Sequence, residues 1–115
     1  MLRIELEKGE NGALVCRATQ RGEELGHVTV QSDGEMVRYC SGALEDPSDY
    51  GLLDGLVRAA FDAAGSEGAV RYLVSAEAAG EYLPAFETYD YHVDQPEELE
   101  KFFGRHSCKG LSGGF

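Results

Sequence analysis

Positive charge is scarce in this sequence. Its 115 residues carry 10 Lys and Arg against 21 Asp and Glu, a formal net charge of −11 at pH 7. Long-range repulsion therefore opposes bare nucleic acid and anionic lipid as partners. No run of Arg or Lys offsets it locally. A cationic partner, either a small amine or a basic protein, suits this field, and solubility is the plainer use of the charge. Long apolar runs are also missing. Nothing approaches the ~20 residues of a membrane span, and the opening MLRIELEKGE is charged throughout. Cysteine is sparse: Cys16, Cys40 and Cys108 are odd in number and widely spaced, which is no disulfide framework. A reducing, cytoplasmic setting is expected. Repeats and linkers are absent as well, so one domain is expected over residues 1–108, with a loose tail at 109–115.

What is present is strongly patterned. LRIELEK alternates Leu2, Ile4 and Leu6 against Arg3, Glu5 and Glu7, the period of a half-buried strand. Asn11-Gly12 and Asp33-Gly34 are hairpin-turn signals, and QRGE turns the chain between them. ALVCRAT, ELGHVTVQ and EMVRYCSGAL supply three further strands, and loops this short imply an antiparallel meander. Pro47 closes it. Ser48 or Asp49 caps a helix whose apolar stripe runs through Leu52, Leu53, Leu56, Val57, Ala60, Phe61 and Ala64, with Asp54 and Arg58 pairing on the exposed side. The glycines of GSEG end it. AVRYLVSAE reads as a fifth strand, AAGEYLPAFETY as a short helix, DYHV as a sixth strand and DQPEELEKFF as a third helix starting at Pro96.

The stretch from Gly51 to Val93, GLLDGLVRAAFDAAGSEGAVRYLVSAEAAGEYLPAFETYDYHV, resembles the back half of GNAT-type N-acetyltransferases, and GHVTV resembles that family's third strand. The resemblance spans roughly residues 13–93. It implies an α+β fold with a mixed sheet: an N-terminal antiparallel meander, then helix, strand, helix, strand, and a C-terminal helix. It also implies acetyl-CoA as cofactor, held through its pyrophosphate by backbone N–H groups at the start of the main helix. The acetyl carbonyl would lie between two splayed strands. A carboxylate or water would deprotonate an amine, and a tyrosine would protonate the leaving thiolate.

Carried over residue by residue, the resemblance thins. The family's phosphate turn is Gln or Arg, two residues, Gly, one residue, then Gly or Ala. Here it reads Ser48, Asp49, Tyr50, Gly51, Leu52 and Leu53. Cofactor contacts thus fall on the backbone of Gly51, Leu52 and Leu53, with the Leu53 side chain where phosphates need room. Asp49 and Asp54 add like charge, each costing roughly 1 kcal/mol at intermediate dielectric. The tyrosine position falls on Phe86, leaving Tyr82 and Tyr89 as candidate proton donors, though Tyr82 equally reads as a packing aromatic. The two helices that follow the family's first strand are missing, and the acidic helix after Pro96 replaces its last strand.

Smaller signals have plainer readings. Tyr39 and Cys40 point to opposite faces, and Cys40 is expected to be the buried, inert one. His106 and Cys108 lack further ligands at metal spacing, so no metal is expected. His27 reads as a surface histidine, and Glu77, Glu81 and Glu87 as solvated charge. A strand edge left open by the missing last strand would be closed by Leu99, Phe102 and Phe103, within the chain or across a homodimer. Three functions follow. The leading one is a GNAT-like domain with weak or lost acyl-CoA binding that acts by binding or assembly. The others are a small active acyl-CoA-dependent N-acetyltransferase on an amine, and an unrelated α+β ligand-binding domain.

Overall fold

A computed structural model describes residues 2–104. Four strands open the chain: β1 (Leu2–Lys8), β2 (Ala13–Gln20), β3 (Glu23–Asp33) and β4 (Met36–Leu44). They form the expected antiparallel meander, with registers such as Leu6↔Cys16, Cys16↔Val28 and Val30↔Tyr39. The second hairpin turns on Arg21 and Gly22, both at positive φ, as a tight two-residue loop requires. The third turns on Gly34 and Glu35, one residue later than the Asp33-Gly34 signal, because Asp33 already pairs with Met36. In the first, a Cβ added at Gly12 would overlap the Ser32 carbonyl oxygen, and Gly12 has φ +83°, so only glycine fits.

Helix α1 (Tyr50–Ser66) crosses from β4 to β5 (Arg71–Leu73), which pairs parallel to β4. The chain then passes through α2 (Ala76–Ala79), a 3-10 turn at Gly80–Tyr82 and α3 (Leu83–Thr88). The expected second helix is thus broken into three pieces, because Gly80 takes φ +54° and Pro84 opens a new first turn. β6 (Glu97–Glu98) pairs antiparallel with β5, and residues 99–104 form a last helix, α4. The sheet order is β1-β2-β3-β4-β5-β6.

Two expectations near the C-terminus need correction. DYHV is not a strand: Asp90 and Asp94 both take positive φ, and only Val93 makes a bridge, to Val74. The last helix starts at residue 99 rather than at Pro96. Tyr72 donates a hydrogen bond of 2.5 Å to Glu97, which holds the preceding pair extended against β5.

The core lies on one face of the sheet. α1 buries Leu53, Leu56, Val57, Ala60, Phe61 and Ala64 against Leu14, Cys16, Ala18, Val28, Val30, Val37 and Tyr39. The opposite face carries the polar half of each alternation. There Arg17 pairs with Glu7 and Glu24, and His27 with Glu24, which holds the Glu24 carboxyl below its ordinary range through the His27 hydrogen bond first. Leu99 and Phe102 are buried in the chain's own core, with Phe103 half-buried, so the C-terminal end of the sheet is closed from within. The open edge lies at the other end. β1 is exposed along its whole length rather than half-buried, because α1 packs over β2, β3 and β4 and stops short of it.

Candidate functional site

The start of α1 is built by acidic side chains. Asp46 Oδ1 accepts hydrogen bonds from the Ser48 backbone N–H (3.0 Å) and hydroxyl (2.7 Å). The hydroxyl bond first, then the backbone bond, lower the Asp46 pKa. Asp49, not Ser48, is the N-cap: its Oδ1 accepts the Leu52 N–H at 3.1 Å, and its carbonyl accepts the Leu53 N–H at 3.2 Å. The side chain thereby satisfies one of the helix's free donors, the Leu52 N–H, while the carbonyl accepts the first intrahelical bond, as a capping aspartate does. Gly51 is exposed, and a Cβ added there would sit 3.4 Å from the Tyr89 hydroxyl. Leu53 does not crowd this region, since its side chain is buried in the core. Asp54 does not add charge at the helix start either. It is buried, accepts the Tyr91 hydroxyl at 2.8 Å and pairs with Arg58 at 3.4 Å, so it is no exposed i,i+4 partner. Burial, and then the Asp54 charge, push the Tyr91 pKa well up.

Beside α1 the parallel pair β4–β5 opens. Pairing covers only Met36–Arg38 with Arg71–Leu73. Beyond that, Val74 turns to Val93, and β4 runs on to Leu44 beside α2. A bulge helps β4 diverge: the register with β3 shifts between Thr29 and Val30, which skips Cys40. The Glu45 N–H bonds back to Leu25, so the Leu44 N–H faces the gap, where Tyr82 Oη accepts it at 3.0 Å. Phe86 enters from α3 and meets the Tyr39 ring edge-on at 4.8 Å. Tyr39 is buried, and its hydroxyl has no hydrogen-bond partner among the described residues. Burial first, then Tyr82, raise its pKa.

The structure thus separates the two candidate tyrosines. Tyr82 is buried in the gap as the acceptor of a strand amide, and Tyr89 stands at the helix start. Replacing Tyr82 with Phe strands the Leu44 N–H, and is expected to cost about 1–2 kcal/mol in urea unfolding while leaving the ring packing in place.

Cys40 is exposed, contrary to expectation; Tyr39 takes the buried face because it continues the inward alternation of Val37. The buried thiol is Cys16, which burial pushes up to about 11. Glu77, Glu81 and Glu87 are exposed. His106 and Cys108 lie outside the described residues. Sequence reasoning missed the Tyr39 hydroxyl, although the Val37–Tyr39 spacing marks an inward position. It also missed the Tyr72–Glu97 bond, to which Tyr72 Oη adds acceptance of the His92 N–H at 2.9 Å.

No family model and no curated protein matches the sequence. Solved structures do share its fold. An acetyltransferase of Bacillus subtilis, solved in complex with CoA, superposes with a TM-score of 0.59 at 17% identity, covering 76% of this chain and 74% of that one. The ribosomal-protein-S18-alanine N-acetyltransferase of Escherichia coli gives a TM-score of 0.54 at 20% identity, covering 70% of this chain and 53% of that one. The chain therefore spans about half the length of the E. coli enzyme. At these identities the likeness is one of fold.

Proposed function

We propose that this chain, which has the GNAT-type N-acetyltransferase fold, performs no acetyl transfer and acts by binding or assembly. The observation that carries this reading is the filled gap between β4 and β5. Tyr82 holds the Leu44 N–H there, and Phe86 packs on Tyr39, in the place where the fold would receive a thioester. The helix start supports it: the Asp49 carboxylate already accepts the Leu52 N–H, and it would repel a pyrophosphate. The side chains present therefore do not fit acyl-CoA. The net charge of −11 favours a basic partner.

A second reading, an active N-acetyltransferase using acetyl-CoA on an amine, draws on one observation. The Tyr39 hydroxyl is buried and unpartnered beside Phe86, whose position in the resemblance belongs to a proton-donating tyrosine. The two readings separate in a turnover assay that follows loss of thioester absorbance from acetyl-CoA with a panel of primary amines. The proposal expects no loss above uncatalysed hydrolysis. Amine-dependent turnover that Tyr39→Phe abolishes would establish the second reading instead.

A further inference from the structure

We propose that two copies of this chain pair edge to edge through β1, antiparallel about a two-fold axis at Ile4, and join their sheets into one. The inference extends the assembly reading above by naming the partner as a second copy. It is read by mass rather than by CoA affinity, so either can fail without the other.

β1 is the open edge of the sheet, and the three residues on its core side are apolar yet exposed. Leu2, Ile4 and Leu6 are 48%, 43% and 50% exposed. Leu6 lies opposite Cys16 and Ile4 opposite Ala18, and both partners are fully buried. The three apolar residues therefore continue the core face of the sheet beyond the reach of α1. Protected edges are short, bulged, covered, interrupted by proline or lined with charge; of the charges on β1, Arg3, Glu5 and Glu7 alternate onto the polar face and Lys8 pairs with Glu67. β1 has seven residues in unbroken register with β2 and contains no proline.

The backbone is oriented for pairing. The Gly9 N–H donates to the Ala13 carbonyl, so the odd positions of β1 face β2. By alternation, the N–H and C=O groups of Leu2, Ile4 and Leu6 point outward. A two-fold axis at Ile4 sets Ile4 opposite its own copy and Leu2 opposite Leu6 of the partner subunit. That makes about six hydrogen bonds between chains.

Charge selects this register. With Ile4 on the axis, Arg3 faces the partner's Glu5, and Glu5 faces the partner's Arg3. These positions are the non-hydrogen-bonded pairs, in which side chains approach most closely. Within one chain Arg3 reaches Glu5 only at 3.9 Å, in solvent. Moving the axis to Glu5 puts Glu5 opposite its own copy and Leu2 opposite Lys8. Moving it to Leu6 puts Glu5 opposite Glu7. Only the Ile4 axis matches apolar with apolar and acid with base at every pair from residue 2 to residue 6.

Sedimentation velocity tests this with the full chain at about 100 μM. The wild type is expected at twice the chain mass. Ile4→Lys opposes two ammonium groups on the axis and is expected to sediment as a monomer. Arg3→Glu sets a carboxylate against the partner's Glu5 at both pairs and is expected to weaken dimerisation roughly tenfold or more. Adding Glu5→Arg to Arg3→Glu reverses both pairs and is expected to restore the dimer. Thermal unfolding of each variant checks that it is folded, and the charge variants still decide the question if Ile4→Lys is not. A monomeric wild type overturns the proposal. So does a dimer that persists in folded Ile4→Lys, or a double variant as weak as Arg3→Glu alone.

Discussion

Phe102→Ala is expected to lower the unfolding free energy by about 3–5 kcal/mol, the range for removing a fully buried aromatic side chain. Phe102 is 0% exposed, with ring centroids 5.3 Å from Tyr72 and 4.6 Å from Tyr91. Tyr72 in turn stacks on Phe61 of α1 at 5.1 Å. α4 thus joins the core through a chain of rings that runs from the C-terminal edge of the sheet into the main helix. Phe103→Ala is expected to cost far less, since that side chain is only half-buried. Urea midpoints of the two variants measure the contrast. Equal midpoints would mean that the edge is not closed from within.

Gly42→Ala is expected to cost about 1–3 kcal/mol, as overpacking of a tight site does. The added Cβ would lie 2.6 Å from the Tyr39 hydroxyl and 3.3 Å from both the His27 carbonyl oxygen and Val28 Cγ1. The ring of Tyr39 cannot swing away, because Phe86 packs against it. Tyr39→Phe alone is expected to stabilise the fold by about 1 kcal/mol, because it removes a buried hydroxyl without a partner. In the Tyr39→Phe background most of the Gly42→Ala cost should disappear. A double-mutant cycle in urea measures that coupling. Additive costs would place the Tyr39 hydroxyl elsewhere than beneath Gly42.

Local periodicity made the meander and α1 legible in the sequence. The period of two in β2 to β4, the hairpin glycines and the stripe from Leu52 to Ala64 all report backbone geometry directly. The GNAT-like order and the opening of β4 from β5 were legible through the resemblance. What escaped depends on contacts between distant segments. Alternation in β1 marked an apolar face but not whether a helix reaches it. Asp54 and Arg58 have the spacing of a surface pair, yet Tyr91, far along the chain, reaches Asp54 and fixes it as a buried acceptor. Glu97 sits where acids favour a helix start, and the Tyr72 hydroxyl instead recruits it to a strand. Cys40 is exposed because Tyr39 keeps the inward phase set by Val37, a choice of face that the Tyr39–Cys40 pair taken alone does not reveal. At the helix start, the small-residue positions were readable. That Asp49 and not Ser48 takes the cap was not, because both residue types favour it.

Calorimetric titration of CoA into the chain decides whether the start of α1 still binds the cofactor. No saturable heat is expected up to about 1 mM ligand, a binding free energy no better than roughly −4 kcal/mol. Saturable binding with a micromolar dissociation constant, abolished by Gly51→Asp, would contradict the proposed function.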